Sequence, residues 1–254
     1  MVKEDNFPPL LKTEGLTKRF EGLVAVDRVN LEVNKGEVLA LVGENAAGKS
    51  TLIKMVSGIY PISAGKIYWK GEDVTDRLNG NRGFAKRLGI EAVYQGGSVI
   101  ETMNVYENVF TGQELTRKVL GVPILDRKRM KEEAKKFVEE YIGVEIDDYE
   151  KEVRNLSGGQ RQAVAIARAI YGKGIELLIM DEPTANLDAD GVARVLNITK
   201  TLSKRGMGII FIEHNIEHVL KVADRVMIMR NGRIIDCKKA NDYTKEEIIR
   251  KMIA

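Results

Sequence analysis

The stretch VLALVGENAAGKST, residues 38–51, constrains the fold more than any other. A short apolar run enters a glycine-rich turn, and TLIKMVSG follows as a good helix start, so a buried strand must pass the chain through a tight loop into a helix. Gly43, Gly48, Lys49 and Ser50 satisfy the spacing G-x-x-x-x-G-K-[ST]. A loop in this setting can surround a polyphosphate with its amides and with the positive end of the helix. The residues in play are Gly43, Glu44, Asn45, Ala46, Ala47, Gly48, Lys49, Ser50 and Thr51. Lys49 supplies a point charge near the terminal phosphates, and the Ser50 hydroxyl can sit on Mg²⁺. Ala46 poses a question. At positive φ its Cβ costs about 1–2 kcal/mol; at negative φ the cost is close to nothing, and in both cases the amide hydrogen remains.

Three further apolar runs end at residues with chemistry: IEAVYQ (90–95) at Gln95, ELLIMDE (176–182) at Asp181 and Glu182, and GIIFIEH (208–214) at His214. Helical patterns lie between them, which predicts an α/β fold with a mainly parallel sheet covered by helices. Ligands of such sheets lie at the carboxyl ends of the strands, so all four endings are expected to converge. Asp181 is then placed to hold Mg²⁺ directly or through water, and Glu182 to polarise an attacking water. A lone histidine is commonly just a satisfied polar residue, but a strand end beside the loop favours a functional reading of His214. His218, four residues on, raises a two-histidine metal site; without a cysteine or a third ligand, zinc is the weaker reading.

Before residue 75, short alternating segments with turns such as VNKGE and WKGED suggest a small antiparallel sheet, and Asn-Gly inside VMIMRNGRII (226–235) signals a hairpin. Residues 96–170 read as a mostly helical subdomain. Within it Asp126 should cap RKRMKEEAKKFVEEYIG, Leu125 should staple against Met130, and Gly143 should end the helix.

Composition narrows the partners. The chain has 254 residues with 40 Lys plus Arg, 37 Asp plus Glu and a net charge of +3, no footprint for nucleic acid. The single Cys237 cannot form an internal disulfide, which suits a reducing compartment. No apolar run approaches the length of a membrane-spanning helix, and residues 1–11 read as a tail rather than an export signal.

The segment NLSGGQRQAVAIARAI, residues 155–170, narrows the family. Ser157-Gly158-Gly159 is a small-residue turn before a helix, so its amides and the Ser157 hydroxyl form a second anion site, which lacks a lysine of its own. Leu156, Ser157, Gly158, Gly159 and Gln160 match the signature of ATP-binding cassette (ABC) ATPases. Residues 12–254 resemble this P-loop family in order: GENAAGKS, Gln95, LSGGQ, LLIMDEP, Ala185-Asn186-Leu187-Asp188 as D-loop, and His214.

The resemblance implies further roles. Phe20 would stack on adenine, with packing in the core as its alternative, and Val26 would flank the same base. Gln95 would sense Mg²⁺. Lys49, Glu182 and His214 would serve catalysis on ATP, Glu182 as base or water-orienting acid and His214 on the γ-phosphate. Asp188 would communicate across a head-to-tail dimer in which the signature of a second copy covers the nucleotide. Tyr106, Val109 and Phe110 would meet an integral membrane permease, or else pack within the helical subdomain. The stretches 211–233 and 95–114 are similar to ATPases of simple-sugar or ribose-type importers, implying a peripheral subunit on the cytoplasmic face of the membrane, working with an extracytoplasmic solute-binding protein. A soluble ABC ATPase of the iron–sulfur assembly type is the alternative.

Overall fold

In the computed structural model, residues 8–94, 99–172 and 174–253 are described. The strands are β1 (Leu11–Phe20), β2 (Leu23–Val33), β3 (Val38–Val42), β4 (Ala64–Trp69), β5 (Glu72–Asp73), β6 (Ile90–Val93), β7 (Thr116–Val119), β8 (Val122–Leu125), β9 (Leu177–Asp181), β10 (Gly208–Ile212), β11 (Arg225–Arg230) and β12 (Arg233–Lys239). The α-helices are α1 (Lys49–Val56), α2 (Thr75–Leu78), α3 (Arg82–Leu88), α4 (Val105–Phe110), α5 (Arg127–Lys136), α6 (Gly158–Ile170), α7 (Ala189–Lys204), α8 (Ile216–Val222) and α9 (Lys245–Ile253).

The chain divides into two compact units. The first takes Met1–Ala92, Ile175–Asp181 and Ser203–Ala254. Every residue of β3 and β10 is buried, as unbroken apolar runs require when both faces of a sheet are covered. Each such Val, Leu or Ile contributes about 2 kcal/mol by leaving water. The four runs singled out in the sequence become adjacent strands in the order β3-β10-β9-β6, and β11 and β12 complete a six-stranded sheet on the β3 side. β3, β9, β10 and β11 run parallel, and β12 is antiparallel to β11. The turn Asn231-Gly232, with φ of 47° and 77°, makes that hairpin as the dipeptide signalled. The antiparallel sheet expected before residue 75 has the order β2-β1-β4-β5. Leu10 is buried and β1 begins at Leu11, so the core takes in residues from the segment expected as a tail.

The second unit takes Val93–Gly174 and Glu182–Leu202. It is helical in the main, with one departure from expectation: β7 and β8 form a hairpin whose eight strand residues are all exposed. Asp126 caps α5, accepting from the Arg129 amide at 3.2 Å, and Met130, Ala134 and Val138 are buried on one face. The chain continues from α5 through a wider turn, Phe137–Ile142, and stops at Gly143 with φ 84°. Leu125, expected as the staple, ends β8 opposite Thr116 and is 48% exposed, while Met130 is buried. Phe110, Phe137 and Tyr171 pack ring against ring, 4.6 Å and 4.9 Å apart, beneath α5. Burial, followed by the hydrogen bond to Glu133, pushes the Tyr171 phenol up to about 12.

Candidate functional site

In the first unit, strand register sets the spacing of the chemistry. Ile212 of β10 pairs with Leu41 of β3 on one side and with Asp181 of β9 on the other. Asp181 therefore stands two strands, about 10 Å, from the strand that feeds the loop. His214 follows β10, the strand between them, and is exposed. The loop, Asp181 and His214 thus share one edge of one sheet.

Glu44, Asn45 and Ala46 form the exposed crest of the loop, while Ala47 and Lys49 are buried. The Ala47 amide donates to the Glu44 carbonyl at 3.2 Å, closing a turn across the crest. Ala46 adopts φ 64°, the left-handed region, so its methyl carries the strain. Lys49 Nζ donates to the Gly43 and Glu44 carbonyls at 2.8 and 2.9 Å, holding the ammonium under the crest. Gly48 caps α1 at φ 103°, and a Cβ there would lie 2.4 Å from the Ala25 carbonyl oxygen. No side chain fits. Ser50 is exposed in the first turn of α1, next to Thr51.

A bracket that sequence reasoning missed supports the loop. The Gly232 amide donates to the Ala47 carbonyl at 3.0 Å, and the Gly232 carbonyl accepts from the Asp27 amide at 2.8 Å. Arg233 then pairs with Asp27 at 2.5 Å and holds that carboxyl below the usual carboxylate range. The hairpin turn was legible as a turn, but a contact spanning some 185 residues of sequence left no local signal.

Phe20 is 41% exposed at the end of β1 and meets Tyr60 edge-on at 5.7 Å, with the Lys18 ammonium 4.9 Å from its ring. This exposed aromatic suits a base-stacking role better than core packing. Val26 does not: it is fully buried, because its position in β2 turns it into the core, so no surface remains for a base. Among the described residues no group of three or more His, Cys, Asp or Glu is placed to hold a metal ion. A divalent ion here would draw most of its ligands from phosphate and water, the habit of Mg²⁺, with Ser50 and Asp181 as the protein's oxygens.

In β10's continuation, the buried Glu213 carboxylate accepts from the His214 and Asn215 amides at 2.8 and 3.2 Å, fixing the backbone that carries His214. Asn215 in turn caps α8, accepting from Glu217.

The second unit holds the other residues. Glu182 follows Asp181 directly and has φ 50°, a costly conformation of the kind stored at functional sites. Ser157 caps α6: its hydroxyl accepts from the Gln160 amide at 3.3 Å, and Gln160 Oε1 accepts from the Ser157 amide at 3.2 Å. Ser157 is exposed and Leu156 buried. Gly158 stands half-buried between Ser157 and Gly159. A Cβ on Gly159 would lie 2.7 Å from Gly191 Cα, so the start of α6 lies directly against the start of α7. Asp188 accepts from the Gly191 amide at 2.9 Å, capping α7. Its carboxylate thus organises the same junction that supports the signature.

Gln95 lies outside the described residues. Tyr106, Val109 and Phe110 are buried, with Phe110 and Val109 wholly so. Asn104 and Glu107 form a capping box that fixes the phase of α4 and turns these side chains into the second unit's core. They are not a surface for a permease; the exposed part of that segment is Glu101, Thr102 and Met103. No helix among the described residues is long and apolar enough to cross a membrane.

Residues 26–185 match the family described as ABC transporter. The chain is 41% identical to the xylose/arabinose import ATP-binding protein XylG of Sulfolobus acidocaldarius, over 96% of this chain and 93% of that protein. It is 39% identical to the ribose import ATP-binding protein RbsA 1 of Rubrobacter xylanophilus, over 96% of this chain but 47% of that protein, so it spans about half the length of this relative. Among solved structures, the ADP conformation of MJ1267, an ATP-binding cassette of an ABC transporter, superposes with a TM-score of 0.78 at 28% identity, covering 96% of this chain and 95% of that one.

Proposed function

The chain belongs to the ABC transporter ATP-binding proteins, and from that membership we propose that it is the ATP-hydrolysing subunit of an importer for a simple sugar, a pentose such as xylose, arabinose or ribose. The observation that carries the site reading is the register of β3, β10 and β9, which brings the phosphate loop, His214 and Asp181 to one sheet edge. The names of the relatives carry the cargo. They also favour transport over a soluble role in iron–sulfur assembly.

In this reading the loop amides and Lys49 hold the β- and γ-phosphates, and Phe20 stacks on adenine. Ser50 and Asp181 would hold Mg²⁺, with Gln95 as the third residue the resemblance assigns to it, and the ion would neutralise phosphate charge. Glu182 orients water for in-line attack, and His214 donates to the γ-phosphate as charge develops. Ser157, Gly158 and Gly159 of a second copy close the nucleotide from the other side, so a homodimer makes two sites. Asp188, capping the helix beneath its own signature, links the state of one site to the other. ATP favours the closed dimer and product release the open one, which drives a membrane permease. The chain works at the cytoplasmic face, peripherally, with a solute-binding protein delivering sugar outside.

The test is uptake in the host lacking this chain. Labelled xylose, arabinose and ribose are offered in turn, and loss of uptake of one, restored by the wild type and not by Lys49→Ala, is the expected result. Unchanged uptake of all three, with the chain copurifying with no membrane protein, would overturn the proposal in favour of a soluble role.

A further inference from the structure

The hairpin of β7 and β8 has no part in the nucleotide chemistry, and its surface is unlike the rest of the protein. Of eleven large hydrophobic residues exposed among the described residues, five fall within 119–125. Leu120, at the turn, is fully exposed and also adopts φ 50°. Both facts count against leucine, because asparagine or glycine would take that backbone more readily and would not expose an isobutyl group to water. A side chain that costs stability twice points to a use outside the folded chain.

The pattern around Leu120 identifies the medium. Val119 pairs with Val122 across the hairpin, and Lys118 with Pro123, so successive pairs face opposite sides. The tip is therefore apolar at its end and on the face of Val119 and Val122, while Lys118 and Arg117 lie on opposite faces behind it. An apolar end with a cation behind it on each face suits a medium that is apolar in its depth and anionic at its surface. Lys118 and Arg117 stand behind the tip, about 7 and 10 Å from Leu120 along an extended strand. That matches the depth, about 5–10 Å, to which interfacial segments bury their apolar side chains below lipid phosphates. Between Glu114 and Asp126 no acidic residue occurs, and Arg127, Lys128 and Arg129 follow Asp126.

We propose that this hairpin inserts its tip into the surface of an anionic lipid bilayer, with Val119, Leu120 and Val122 entering the acyl boundary and Arg117 and Lys118 meeting lipid phosphates. This gives the chain a membrane contact of its own, independent of any permease and of the proposed cargo.

The experiment uses the full chain and flotation with vesicles of phosphatidylcholine alone or with about one quarter phosphatidylglycerol. The expected result is binding to the anionic vesicles that weakens with salt. Leu120→Asn suits the turn's backbone better and should fold at least as stably, yet should bind these vesicles about tenfold more weakly. Arg117→Gln with Lys118→Gln should lower binding by a similar factor and flatten its salt dependence. Leu120→Trp should shift its emission to the blue on adding anionic vesicles. ATP binding should be the same in all variants, which separates failure of this inference from failure of the nucleotide reading. Absence of wild-type binding to anionic vesicles, equal binding by Leu120→Asn, or a Leu120→Trp emission that responds only to a copurified protein would each overturn it.

Discussion

Ala46 adopts the left-handed conformation at the crest of the phosphate loop, so the methyl that distinguishes it from glycine has a definite cost. Ala46→Gly should relieve about 1 kcal/mol of backbone strain and raise the thermal midpoint slightly. Because the amide that meets phosphate is present in both, ATP affinity measured by calorimetry should improve tenfold at most; a hundredfold gain would mean that the methyl blocks the ligand. Glu182 shares this backbone region, and its φ of 50° aims a carboxylate from the residue after Asp181. Glu182→Gln keeps size and shape while removing the charge that orients water. Phosphate release should fall by about a hundredfold or more with ATP binding retained. Unchanged turnover would remove Glu182 from the mechanism.

Elements show what the sequence could and could not disclose. Strand existence was legible because apolar runs such as VLALV and GIIFI exceed what one-sided burial needs, and the convergence of their carboxyl ends followed from where such sheets bind ligands; the order of the strands did not. The β7–β8 hairpin was not legible: an exposed apolar segment has no periodicity to separate strand from helix, and Leu-Gly is a weaker turn signal than Asn-Gly. Whether Tyr106, Val109 and Phe110 face a partner or pack within the subdomain was left open by the sequence, because the phase of a short helix depends on its cap and on what packs beneath it. Val26 was misplaced, since one step along β2 exchanges core for surface. The signature is subtler, because its glycines look like phosphate-loop glycines. In the structure Gly159 serves close packing, with α7 against the start of α6. Gly159→Ala should therefore cost about 1–3 kcal/mol in chemical denaturation and abolish turnover, while nucleotide binding to the first unit persists. Normal turnover in that variant would show that the junction tolerates displacement.

At the scale of the whole molecule, the two anion sites are unequal: one has a lysine and a nucleotide loop, the other only a capped helix start with Ser157 exposed. A site of the second kind has no use alone, which is the physical reason for expecting two copies to combine head to tail. The arrangement can be tested by complementation, in a Glu182→Gln background that retains bound ATP. Lys49→Ala should abolish ATP retention, and Ser157→Phe, which blocks the exposed helix start, should do the same. Mixed in equal amounts, the two variants form heterodimers in which one interface joins an intact loop to an intact signature. Half the dimers then hold one good site of two, so trapped ATP should return to about a quarter of the unmodified level. A chain carrying both substitutions, mixed with the Glu182→Gln chain, gives heterodimers in which each site lacks one wall, and only the unmodified homodimers should retain ATP. If instead each copy used its own signature, the mixture of single variants would stay empty while the mixture with the double variant would retain half, and the two patterns separate the architectures without any appeal to transport.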